Sequence, residues 1–131
     1  MADTQQVMYA SCKLTNSATA ITEKGIMIAV NTTGSPVLAY KAADAANRRV
    51  VGINGDTAAV SGTDFVAYSG IFLLDNSSVY PVTQAYIGAK CYVEDEQTVS
   101  TSGGSNTVVA GTVVDVVSAG VWVHVGSTVT L

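Results

Sequence analysis

Charge is what this sequence has least of: charged residues make up 12% of its 131 positions, against 48% hydrophobic. A chain that poor in charge is not a solvated, disordered polymer. Basic residues are the scarcer sign, six against ten acidic ones for a net charge of -4, and only Arg48 and Arg49 stand side by side. Binding a phosphate backbone takes clustered Lys and Arg that displace counterions, so no nucleic-acid partner is expected. A single histidine, His124, excludes a multi-histidine metal centre within one chain. The two cysteines, Cys12 and Cys91, have no CxxC spacing and read as free thiols. No apolar run approaches the ~18 residues of a membrane span. The start, Met1-Ala2-Asp3-Thr4-Gln5-Gln6, lacks the basic and apolar blocks of a secretory leader, so synthesis in a cytoplasm is expected.

What is abundant is valine, followed by threonine and alanine. β-branched side chains pack well on a pleated sheet and lose rotamer freedom in a helix, so the composition reads all-β. At this length one domain is expected. Gly25-Ile26-Met27-Ile28-Ala29-Val30 is an apolar run closed by the turn residues Asn31 to Pro36, with Val37-Leu38-Ala39-Tyr40 as its hairpin partner. Val50 to Ile53 and Asp64 to Leu73 follow as strands, then Gly88 to Val93, Thr107 to Val117 and Gly120 to Val125. Only Ala42 to Asn47 has helix-favouring composition, enough for one short turn. In the last strand Val121, Val123 and Val125 share one face and Trp122 and His124 the other, the alternation of a half-buried strand.

The same order of elements occurs twice. Gly25 to Val30 aligns with Gly88 to Val93, Val51-Gly52-Ile53 with Ala110-Gly111-Thr112, and Phe65 to Gly70 with Val121 to Gly126. Glycine inside a strand marks a bulge, bend or close backbone approach, so Gly52 and Gly111 predict matched bends of a small closed barrel. This two-fold series, over residues 22–129, resembles the capsid cement proteins of tailed phages and gene transfer agents. There a Gly-led strand, an Ala-rich stretch and a Val-x-Gly step precede an alternating strand, as in Ala42 to Ile53 and Phe65 to Gly70. In the second half a polar loop, Ser100 to Asn106, takes the place of the Ala-rich stretch.

The resemblance implies a small closed barrel or tulip-like β domain built from two related halves. It also implies assembly as a homotrimer on the exterior of a phage capsid, with the major capsid protein as partner. The expected layout is an extended N-terminal arm or strand over residues 1–20 and one β-barrel-like domain over residues 21–131. Thr4, Gln5, Gln6, Val7, Met8 and Tyr9, outside the repeat and strand-like, are candidates for docking on a capsid sheet edge. Arg48, Arg49, Trp122 and His124 are candidates for the trimer interface. The expected function is non-enzymatic: stabilising the expanded shell by bridging its subunits, within the virion, with no membrane and no cofactor. A trimeric tail, spike or fibre-base protein, or a carbohydrate-binding barrel using Tyr80, Tyr86 and Tyr92, are the alternatives. His124 has no Gly-x-Ser-x-Gly or similar nucleophile to serve, and Glu94-Asp95-Glu96 alternate in direction along an extended chain, as a solvated turn rather than a calcium site.

Overall fold

A computed structural model describes residues 10–15, 25–33, 38–54 and 64–125. Thr4 to Tyr9 therefore lie outside the described residues. The strands are β1 (Ala10–Thr15), β2 (Met27–Asn31), β3 (Ala39–Lys41), β4 (Arg48–Asn54), β5 (Asp64–Asn76), β6 (Lys90–Asp95), β7 (Thr98–Ser100), β8 (Val109–Val117) and β9 (Gly120–Val125). Among the described residues the sole helical element is a 3-10 turn, Gln84–Tyr86. The short helical turn expected over residues 42–47 is absent. That stretch bends instead, and Asn47 takes a left-handed conformation (φ 58°) that turns the chain into β4.

The protein is all-β, with a closed five-stranded barrel and additional strands. The barrel runs β5-β7-β6-β8-β9 and closes where β9 pairs with β5. All of its neighbours are antiparallel except β5 and β7. β9 shows why the sequence folds this way: Val121, Val123 and Val125 are fully buried, while Trp122 and His124 point outward. The barrel interior is filled by these valines with Leu74, Cys91, Val93, Val99 and Val113. Close packing of β-branched side chains leaves the barrel a filled core rather than a channel.

The two-fold repeat reaches down to single hydrogen-bonded pairs. β2 pairs β4 with Met27 opposite Ile53 and Ile28 opposite Gly52, and the register shifts after Ile28. β6 pairs β8 with Lys90 opposite Thr112 and Cys91 opposite Gly111, and the register shifts after Cys91. These are the positions that the sequence alignment equates. The lead glycines match too, Gly25 at φ 86° and Gly88 at φ 89°, and their N–H groups donate to the carbonyls of Asn54 and Val113, again equivalent residues. A Cβ on Gly52 would meet the Tyr68 carbonyl oxygen, and a Cβ on Gly111 the His124 carbonyl oxygen. Tyr68 and His124 are themselves aligned by the repeat.

The register also enlarges the repeat. β1 pairs the first half of β5, with Ala10 opposite Ser69 and Leu14 opposite Phe65. The second half of β5 pairs β9 in the same offset, Gly70 opposite Val125 and Leu74 opposite Val121. Residues 10–15 are thus the counterpart of residues 70–75, where the sequence placed them outside the repeat. Ala-Ser-Cys-Lys-Leu-Thr and Gly-Ile-Phe-Leu-Leu-Asp share no motif, so only the ladder reveals the kinship. The 13-residue β5 ends one half and begins the other.

The halves differ in burial. In and just before β2 every residue from Ile26 to Ala29 is buried: Ile26 and Ile28 pack with Ala39 and Ala67, while Met27 and Ala29 join the barrel cluster. That two-sided burial is why its sequence is an unbroken apolar run. The equivalent β6 is buried on one face only, so Lys90 occupies the place of Met27.

Candidate interaction surface

The outward face of β8, β9 and the second half of β5 is apolar. Across the β5–β9 ladder Ile71 stands opposite His124 and Leu73 opposite Trp122. Across the β8–β9 ladder Thr112 stands opposite His124 and Asp115 opposite Trp122, with Val114 bulged between. Ile71 is 55% exposed, Leu73 41%, Val114 40% and Trp122 37%. On one face of a sheet, opposed residues have Cβ atoms about 5 Å apart, so these side chains form one continuous patch. Lys90, opposite Thr112, lies at its margin.

Trp122 and His124 are thereby brought together, as expected, and they gain Ile71, Leu73 and Val114. The sequence pattern of β9 pointed to the first pair. The partners on β5 were missed because Ile71-Phe72-Leu73-Leu74 is an unbroken apolar run, and only pairing with β9 tells which of these residues face out. Arg48 and Arg49 lie elsewhere, in β4 opposite Asn31 and Val30 of β2. The Arg48 guanidinium stacks 3.9 Å from the centre of the Tyr40 ring and donates to the Asn47 carbonyl at 3.3 Å, so a local cation–π contact holds it. Arg49 is exposed.

The carboxylates of the β6–β7 hairpin are used structurally. Glu94 accepts a 2.6 Å hydrogen bond from the Ser77 hydroxyl, and that oxygen in turn accepts from the Tyr80 N–H at 3.0 Å. Asp95 accepts from the Gln97 N–H at 2.9 Å, a side-chain-closed turn. Among the described residues no three His, Cys, Asp or Glu side chains converge on a common point. Asp44 receives the N–H groups of Ser105 at 2.9 Å and Asn106 at 2.8 Å, which ties the polar loop of the second half to the β3–β4 connection. These two backbone donors lower the Asp44 pKa, Ser105 the more. Burial pushes the Cys91 thiol up to about 12, and its sulfur lies 3.7 Å from the Gly111 carbonyl oxygen.

Tyr80 lines a hollow of about 140 Å³ with Asp44, Glu94, Ser100 and Ser102. A drug-sized ligand pocket runs to ~300 Å³ or more. A larger polar cleft of about 480 Å³, between Asp75, Asn76, Glu94, Thr98 and Ser118, has no aromatic wall on which a sugar ring could stack. Tyr86 is exposed on the 3-10 turn and Tyr92 half-buried on β6. Compared with protein-family models, with curated proteins and with solved structures, the chain matches none of them.

Proposed function

We propose that the protein is a structural component of a virion: a homotrimer that binds the exterior of a phage capsid and stabilises the expanded shell by bridging major capsid protein subunits. The observation that carries this reading is the outward apolar face around Ile71 and Trp122 on a filled barrel. A scaffold of that kind is suited to holding a surface in place. The carboxylates fit the same reading, Glu94 and Asp95 being engaged in local hydrogen bonds and Asp44 in a loop tie. The resemblance of the repeated Gly-led series to capsid cement proteins supplies the partner.

Binding only the assembled, expanded shell stabilises it by mass action without covalent chemistry. Three linked copies multiply a modest contact through effective concentration. The test is co-sedimentation with expanded and unexpanded shells, paired with the solution mass from light scattering. A trimer that pellets with expanded shells alone is the expected result. A protein that pellets with neither shell would remove the reading.

A further inference from the structure

We infer that the face formed by Ile71, Leu73, Trp122 and Val114 is where this chain meets further copies of itself, each copy presenting the same face to a common symmetry axis. The inference rests on the self-assembly part of the proposed function and names its surface.

The repeat provides an internal control. Ile71 and Leu73 are the register counterparts of Ser11 and Lys13 in the first half. The same ladder position is therefore met by polar residues in one half and by exposed apolar ones in the other, so the fold itself does not demand isoleucine and leucine there. Apolar side chains that the fold does not need, and that water penalises, point to an occupant.

Charge favours a copy of the same chain over a charged partner. The chain carries a net charge of -4, yet this face is balanced, with Lys90 at one margin and Asp115 opposite Trp122. Identical faces gathered around one axis bring like charges close together, so such a face is disfavoured if it carries an excess of one sign. A face for a strongly basic or acidic partner would carry the complementary excess.

Size agrees. The exposed parts of Ile71, Leu73, Trp122 and Val114 come to roughly 350 Å², within the roughly 300–600 Å² of a monomer's largest apolar patch, which is often functional. A standard interface takes about 800 Å² from each partner, an apolar centre inside a polar rim. Thr112, His124, Lys90 and Asp115 supply that rim.

Trp122 is the sole tryptophan, so the wild-type protein reports on its own face. A dilution series is followed by light scattering for mass and by acrylamide quenching of tryptophan fluorescence. The expected result is dissociation to a monomer on dilution, with quenching rising over the same concentration range. Dissociation with quenching unchanged would overturn the face while leaving self-assembly standing. A monomer at every concentration would overturn the face and the trimer together. As a second arm, Leu73→Lys is expected to weaken self-association at least tenfold with an unchanged far-UV circular dichroism spectrum. A folded Leu73→Lys protein that assembles as tightly as wild type would overturn the proposal.

Discussion

Gly52 lies so close to the main chain of Tyr68 that a Cβ on it would stand 2.7 Å from the Tyr68 carbonyl oxygen. Its repeat partner Gly111 stands in the same relation to His124. Both approaches are to backbone, which has no rotamer by which to yield.

Gly52→Ala and Gly111→Ala are each expected to destabilise the fold by about 1–3 kcal/mol, the cost of overpacking a site that cannot relax. Urea denaturation monitored by Trp122 fluorescence reads this directly. An alanine variant as stable as wild type at either position would show that β4 or β8 can move away from its neighbour.

The Asp44 clamp makes a pH-dependent prediction. Its pKa is depressed in the folded state by the Ser105 and Asn106 N–H groups, so the clamp's contribution is present above the ordinary carboxylate range. It is lost as the pH falls through the depressed value. Asp44 is exposed, so the effect belongs to the loop rather than to global stability. Protection of the Ser105 and Asn106 amides from hydrogen exchange, taken relative to the intrinsic rate at each pH, is expected to fall in Asp44→Asn at neutral pH, and in wild type only under acid conditions. Equal exchange in the two proteins at neutral pH would dismiss the clamp.

Cys91 is buried with its pKa raised to about 12, so its thiol is expected to be inert to iodoacetamide at pH 8 until the protein unfolds. The measurement uses a Cys12→Ser background and mass spectrometry of the modified chain. Because the folded pKa is raised, the associated stability is complete below the unfolded value, near 8.5, and is lost as the pH climbs toward 12. Cys91→Ala should flatten that alkaline decline. Rapid alkylation of the native protein would show that the barrel opens.

His124 and Trp122 show how far the sequence reached. Their place on the outer face of β9 follows from strict alternation with Val121, Val123 and Val125, because a strand's period of two leaves no other arrangement when valines fill the core. The all-β class followed from composition in the same way, and the two-fold repeat from matched glycines. Arg48 was legible as a surface cation, but its capture by Tyr40 was not, since that contact spans strands the sequence does not register.

By itself the sequence determined local geometry: strands from β-branched runs and turns from Asn, Gly and Ser, set by neighbours along the chain; it marked Gly52 and Gly111 as special positions, but not the Tyr68 and His124 main chains that they approach. Tertiary structure alone decided which residues of β5 face outward, that β1 repeats the second half of β5, and that Ile71 and Leu73 join Trp122 in one patch. Those outcomes depend on register between strands distant in sequence, where a one-residue slip would exchange the two faces. Register is fixed only when the whole barrel closes.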